Sequence, residues 1–240
     1  MTETPETPPQ FSGGDSITFD GSTPRNTQFG DTYFSKADGR AEASHVFLGC
    51  NGLPDRWAEM NSGQEFVIGE LGFGTGLNFL ETARQWKASN AKGKLIFVSF
   101  EAYPMGVEDL VRSLEPWPEL GDGAAFIAQH WPPAQGKNLM EWQDVELRLI
   151  FGDAREELER RPETFDAWYL DGFAPSRNPE LWEADLLQSA HDKTAPGGTF
   201  ATYTSAGWVR RNLLAAGFDV EKVPGHANKR EMMRGLRPNT

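Results

Sequence analysis

The sequence has a single cysteine, Cys50, so no disulfide can close within the chain. Its four histidines, His45, His130, His191 and His226, are scattered without the spacing of a zinc site and read as surface or packing residues. Metal chemistry is not expected. No apolar run approaches the roughly 20 residues of a membrane helix; the most apolar short stretch, Leu95-Ile96-Phe97-Val98-Ser99-Phe100, has strand length. Met1 to Gln10 carries Thr, Glu and Pro but neither the basic nor the apolar region of a signal peptide. The expectation is a soluble cytoplasmic monomer with no membrane partner. Basic residues are also scarce, 23 against 35 acids for a net charge of −12, which disfavours non-specific nucleic-acid binding.

That deficit is uneven. From Arg210 to Thr240 there are seven basic and three acidic residues, +4, against −16 for the rest. A solvated face is the plain reading; a basic edge on an acidic body also suits one RNA held in one orientation.

At 240 residues the chain suits one large domain with accessory pieces. Residues 1–18 have the composition of a disordered tail, and 19–60 read as an N-terminal extension with a small hairpin and a helix from about Arg40 to Leu48. Residues 61–240 alternate strand and helix. Strands are expected at Glu65–Glu70, Lys94–Glu101, Val145–Phe151, Phe165–Leu170, Thr199–Thr204, Asp219–Val223 and Glu231–Leu236. Helices are expected at Leu77–Ser89, Pro179–Thr194 and Trp208–Ala216, with a turn at Ala195-Pro196-Gly197-Gly198. The rhythm predicts an α/β, doubly wound, mostly parallel seven-stranded sheet. Residues 103–143, with Trp117, Trp131 and Trp142 among Pro116, Pro118, Pro132 and Pro133, form an insert after the second strand.

The strongest local signal is Ile68-Gly69-Glu70-Leu71-Gly72-Phe73-Gly74-Thr75-Gly76-Leu77-Asn78: a strand, an acid, glycines two apart, then a helix. Glycines let a backbone turn sharply against a ligand. A dinucleotide site wants Gly-x-Gly-x-x-Gly, and here the third glycine comes one residue early; no Gly-Lys-Ser/Thr follows, which removes the phosphate-loop reading. The pattern resembles motif I of Rossmann-like class I S-adenosylmethionine (SAM) methyltransferases; a purely structural turn is the alternative. Glu101, Asp153 and Asp171 end the next strands, so with Glu70 four acids lie along one sheet rim, where open α/β folds bind ligands. A helix N-cap is the alternative for Asp153.

Phe29-Gly30-Asp31-Thr32-Tyr33-Phe34-Ser35, the glycine string through Leu80, Leu170-Asp171-Gly172-Phe173-Ala174-Pro175, Asn178-Pro179, Thr204-Ser205-Ala206-Gly207 and Lys229-Arg230-Glu231-Met232 together resemble the tRNA 5-aminomethyl-(2-thio)uridine methyltransferase family. The resemblance runs from about Phe19 to Gly235. It implies a SAM-dependent enzyme that adds the last methyl group to 5-aminomethyl-(2-thio)uridine at the wobble position, with the tRNA anticodon loop as partner. Family members also occur fused to a flavin-dependent oxidase. This chain stops at Thr240, so the expectation is aminomethyl substrate made upstream, by a separate oxidase. Where the family often has Gly-Phe-Gly-Arg, this chain has Gly225-His226-Ala227-Asn228, one basic RNA contact fewer.

The resemblance makes Glu70, Gly72, Gly74, Gly76, Asn78, Glu101, Asp153 and Asp171 candidates for the SAM site, with Tyr33 and Phe34 closing over it. Glu101 suits ribose hydroxyls and Asp153 the adenine amino group. Asp171 is the candidate to orient the amine and accept or relay its proton. Phe173 is the candidate to stack on the uracil, or else a core side chain anchoring the turn. Lys229, Arg230, Arg210 and Arg211 are candidate RNA phosphate contacts. A methyltransferase acting on another amine, in a small molecule or protein, is the rival reading; a non-catalytic SAM-binding or RNA-binding module stands further off.

Overall fold

Runs of β-branched and aromatic residues bounded by glycine, proline and acids dictate the frame, a central sheet wrapped by helices. The computed structural model describes residues 16–131, 139–142, 144–227 and 229–239. β1 (Ile17–Asp20), β2 (Thr23–Asn26) and β3 (Asp31–Thr32) form a small antiparallel sheet, followed by α1 (Gly39–Ala43), a π-helical turn (Ser44–Gly49) and α2 (Leu53–Ala58). The larger body follows as β4 (Glu65–Leu71), α3 (Leu77–Ser89), β5 (Lys94–Glu101), α4 (Val107–Leu114), a 3-10 turn (Pro118–Leu120), α5 (Gly121–His130), β6 (Leu139–Trp142) and β7 (Val145–Phe151). It ends with α6 (Ala154–Glu159), β8 (Phe165–Leu170), a second 3-10 turn (Pro179–Trp182), α7 (Ala184–Asp192), β9 (Thr194–Thr202), α8 (Gly207–Ala216), β10 (Asp219–Pro224) and β11 (Glu231–Leu236).

The large sheet has the order β10-β11-β9-β8-β4-β5-β7-β6. Strands β4, β5, β7, β8 and β9 run parallel, while β6 is antiparallel to β7 and β11 is antiparallel to β9 and β10. Chain order reverses beside β4, the position where open α/β sheets form a ligand crevice at their carboxyl ends.

Side chains of the parallel strands are buried on both faces, as helices on both sides require. In β8, Ala167 and Tyr169 join one apolar cluster with Trp57, Phe79 and Phe97, while Trp168 and Leu170 join the opposite one with Trp182, Phe200 and Phe218. That alternation is the period of two of a pleated strand. Truncating a side chain such as Trp168 or Phe97, both fully buried, costs about 3–5 kcal/mol.

Several expectations are corrected. The sheet has eight strands, not seven: β6, from the insert, covers the edge of β7 through four residues of which only Met140 is buried, too short an alternation to announce itself. The expected turn at Ala195-Pro196-Gly197-Gly198 lies inside β9, which begins at Thr194. Phe165 pairs with Thr194 and Ala167 with Thr199, so the stretch bulges out of the ladder instead of ending it. The helix expected over Pro179–Thr194 splits at Glu183, whose extended backbone (φ −69°, ψ 158°) separates the 3-10 turn from α7. The helix expected over Arg40–Leu48 becomes α1 and the π-helical turn.

At the N-terminus, β1 starts inside the segment expected as tail, with Ile17 buried; residues 1–15 lie outside the described residues, as do Pro132, Pro133, Gln143, Asn228 and Thr240. No helix among the described residues is long and apolar enough to cross a membrane.

Candidate active site

The registers Leu71↔Phe100, Leu71↔Leu170 and Glu101↔Phe151 bring the carboxyl ends of β4, β5, β7 and β8 level. Above them lies a cavity of about 360 Å³, within the range of small-molecule sites. Gly72, Gly74, Asn78, Glu101, Asp153, Asp171, Phe173, Tyr33, Phe34 and Lys229 all line it.

The loop between β4 and α3 needs its glycines. Gly72 and Gly74 have φ of +85° and +54°, the left-handed region where a Cβ is strained. A Cβ on Gly74 would stand 3.1 Å from the Tyr33 ring, and one on Gly72 would meet the Gly172 backbone at 3.4 Å. Gly76 differs: it has φ +75°, but a Cβ there would run into Phe73 at 2.9 Å, so its absence serves packing, and Gly76 does not reach the cavity.

The four rim acids have four environments. Glu70 is fully buried behind the cavity wall, accepting from Ser99 Oγ at 2.6 Å and Asn78 Nδ2 at 2.9 Å. Burial pushes its carboxyl well above the ordinary carboxylate range. It therefore positions Asn78 instead of facing a ligand. Glu101 lines the cavity with both oxygens held by backbone amides, Gly74 N at 2.8 Å and Tyr103 N at 2.7 Å; burial raises its pKa. A carboxylate fixed this way retains acceptor capacity for a vicinal diol. Asp153 is exposed, lines the cavity and caps α6, accepting from Arg155 N at 2.8 Å. The N-cap is thus formed, and the carboxyl group also borders the cavity.

Asp171 follows the last residue of β8 and accepts from Asn78 Nδ2 at 2.7 Å. Burial raises its pKa to about 7, opposed by hydrogen bonds from Gly172 and Asn78; Glu42 pushes it further up and Lys229 pulls it down. The group thus changes charge near neutrality, where a proton acceptor for an amine is useful.

Beyond Asp171 the turn is clamped. Asp31, from β3, accepts from Ala174 N at 2.9 Å and Thr32 N at 2.9 Å. Tyr203 Oη donates to Gly172 O at 2.8 Å. Phe173 is stacked on Phe29 with centroids 4.7 Å apart and meets Tyr33 edge-on at 5.1 Å. It is a partly exposed wall of the cavity, packed against its neighbours and not enclosed in the core. Phe34 packs edge-on against Trp117 of the insert at 5.1 Å.

The basic candidates separate. Lys229 sits in the cavity wall, its Nζ 2.7 Å from Glu42 Oε1 and 4.1 Å from the centre of the Tyr203 ring. The side chain is paired with Glu42 and still partly exposed to solvent. Arg230 borders a shallow depression beside the main cavity with Pro175, Thr204 and Ser205. Arg210 and Arg211, on α8, do not line the cavity. Sequence reasoning missed Glu42 and Tyr203, although Tyr203 directly precedes a motif it used, and left Asp31 without a role.

The fit to SAM follows from this chemistry: a glycine turn that a Cβ would crowd, an amide-held carboxylate on the neighbouring strand, and a further acid at the third strand end. A family model described as S-adenosyl-L-methionine-dependent methyltransferase matches residues 118–238. A protein of Stutzerimonas stutzeri (strain A1501) named tRNA 5-methylaminomethyl-2-thiouridine biosynthesis bifunctional protein MnmC is 44% identical over 216 residues, covering 88% of this chain and 33% of that protein. Its namesake from Aeromonas hydrophila is 45% identical over 226 residues, 90% of this chain and 34% of the relative. The chain thus spans about a third of the length of these curated relatives. The crystal structure of MNMC2 from Aquifex aeolicus superposes with a TM-score of 0.74 at 24% identity, covering 98% of this chain and 73% of that one, and shares the fold. With the family model spanning just over half its residues and the glycine turn and rim acids in place, the chain belongs to the S-adenosyl-L-methionine-dependent methyltransferases.

Proposed function

We propose that this chain methylates the 5-aminomethyl nitrogen of wobble (2-thio)uridine in tRNA, giving 5-methylaminomethyl-(2-thio)uridine. The observation that carries the reading is Asp171: a carboxylate at the cavity wall, held by Asn78 and poised near neutral pH, beside the glycine turn. The names of the relatives supply the substrate, since both are called tRNA 5-methylaminomethyl-2-thiouridine biosynthesis proteins.

Bound SAM supplies a methyl group made electrophilic by its sulfonium. The chain's own residues do the rest. Gly72 and Gly74 admit the cofactor to the backbone, Glu101 accepts its ribose hydroxyls and Asp153 meets the adenine edge. Asp171 takes a hydrogen bond from the amine, aims its lone pair and accepts the proton that must leave before nitrogen is nucleophilic. An alkylammonium of pKa ~10 outranks Asp171 by about 3 units, roughly 4 kcal/mol. Burial of the ammonium in the cavity narrows that gap by disfavouring its charge. The Phe29–Phe173 stack and Tyr33 give the base an aromatic wall and exclude water. Residues 61–240, with the insert 103–143 among them, are assigned the transfer and 19–60 its cover. A separate flavin-dependent oxidase acting upstream, a cytoplasmic location and a monomeric state complete the reading.

The test is incubation of the purified chain with methyl-labelled SAM and tRNA lacking only the final methyl group, followed by nucleoside mass spectrometry. Label is expected in 5-methylaminomethyl-(2-thio)uridine. Label found only in parallel incubations with small-molecule or protein amines transfers the activity to the rival substrates.

A further inference from the structure

Beside the cavity, next to its lining residues Asp31 and Ala174, stands a second pair of basic side chains, absent from the candidates drawn from sequence. Arg25, on β2, and Arg177, four residues beyond Phe173, approach each other across Gly30. Nη2 of Arg25 and Nη1 of Arg177 each lie 3.9 Å from the point where a Cβ on Gly30 would stand, so the two nitrogens are at most 7.8 Å apart, twice that distance. Both arginines are exposed. Among the described residues neither forms an ion pair within 4 Å; Asp20, the acid that feels Arg25, is paired to Lys36. Two exposed guanidinium groups at this spacing, with no carboxylate of the described residues within 4 Å of either, leave N–H donors open to one shared anion.

Arg25 is anchored through its side chain and Arg177 through its backbone. Arg25 Nη2 donates to Gly30 O at 3.0 Å, and the Arg177 backbone amide donates to Ala174 O at 2.7 Å. The Asp31 bond to Ala174 N, 2.9 Å, ties the hairpin bearing one arginine to the turn bearing the other. Next to them Phe29 stacks on Phe173 and meets the exposed ring of Tyr103 edge-on at 5.5 Å. Arginines interleaved with aromatic rings suit a single-stranded nucleic acid, which offers phosphates and unstacked bases together.

We propose that Arg25 and Arg177 form the phosphate contact that holds the RNA strand beside the cavity, with Phe29 and Tyr103 receiving a base beside the one that enters. The inference rests on the tRNA reading above and replaces Arg210 and Arg211 as the principal backbone contacts. Because the chain carries −12 overall, a local cationic pair on an otherwise repelling surface also sets the orientation in which RNA docks.

The experiment measures binding of an anticodon stem-loop RNA bearing 5-aminomethyluridine, by fluorescence anisotropy over a salt series, for wild type, R25Q/R177Q, R25K/R177K and K87Q. Lys87 lies in the last turn of α3, at the far end of the sheet from the cavity. Loss of two phosphate contacts predicts weaker binding for R25Q/R177Q and a salt slope reduced by about 1.4–1.8. R25K/R177K is expected to recover the slope and most of the affinity, and K87Q to match wild type. Wild type that binds and methylates this RNA while R25Q/R177Q matches it in affinity and slope overturns this inference alone. Wild type that neither binds nor methylates it overturns the tRNA reading as well.

Discussion

Asn78 Nδ2 stands 2.7 Å from Asp171 Oδ2, and the same nitrogen is 2.9 Å from the buried Glu70 Oε1. One amide thus serves two carboxyl groups that would otherwise face each other across the floor of the site. Burial pushes the Glu70 carboxyl well above the ordinary carboxylate range and raises Asp171 on the other side of the amide to about 7.

Replacing Asp171 with alanine removes the proposed proton acceptor and leaves the glycine turn and Glu101 intact. SAM affinity, measured by calorimetry, is expected to stay near wild type while single-turnover methylation falls by about 10²–10⁴-fold. Near-normal turnover in D171A would remove the residue from the mechanism.

Asp171 also links stability to pH. Its folded pKa, about 7, lies above the ordinary carboxylate value of 3.8. The native state therefore holds a proton that the unfolded chain releases, and stability is lost as pH rises from about 4 to about 7, then levels. The neutral amide of the D171N variant carries no such penalty. The melting temperature of D171N relative to wild type is expected to climb across that window and flatten above it; a difference independent of pH would refute the raised pKa.

Glu42 raises the Asp171 pKa and Lys229 lowers it, and the two are bonded to each other. The acidic limb of the kcat profile is expected to move down in pH in E42Q and up in K229M. Movement of both limbs in the same direction would show that the substitutions act through packing alone.

Gly74 tests the cofactor turn. In G74A the new Cβ must sit at φ +54°, 3.1 Å from the Tyr33 ring, a strain of order 1–3 kcal/mol. The expected readout is SAM affinity weakened by roughly 5- to 150-fold, with RNA binding unchanged. Unaltered SAM affinity would exclude this turn from the cofactor site.

What the sequence disclosed was local. The glycine string is one contiguous motif, and each rim acid stands at the end of its own apolar run, so strand periodicity sets their common height on the sheet. Glu42, Asp31, Tyr203 and Lys229 converge only through tertiary packing: Lys229 reaches a residue 187 positions away. No spacing rule announces such a pair. Glu70 shows the converse error. It stands in the motif where a ligand-facing acid is expected, yet β4 continues through Leu71 and the Glu70 side chain is enclosed beneath Asn78. Likewise β6 and the start of β9 exist because neighbouring strands offer open hydrogen-bond edges, a demand that four residues of weak alternation, or a Pro-Gly-Gly stretch, do not express on their own.

The hydrogen bond from Ala174 N to Asp31 Oδ2 makes the small hairpin and the turn after β8 one mechanical part. Amide exchange at Ala174 should report opening of a sheet more than 140 positions away in the chain, so a truncation that spares every rim acid would still loosen the site. In D31A the loss of two backbone bonds, about 1 kcal/mol each, should therefore appear as faster exchange at Ala174 while the deep strands of the large sheet keep their protection.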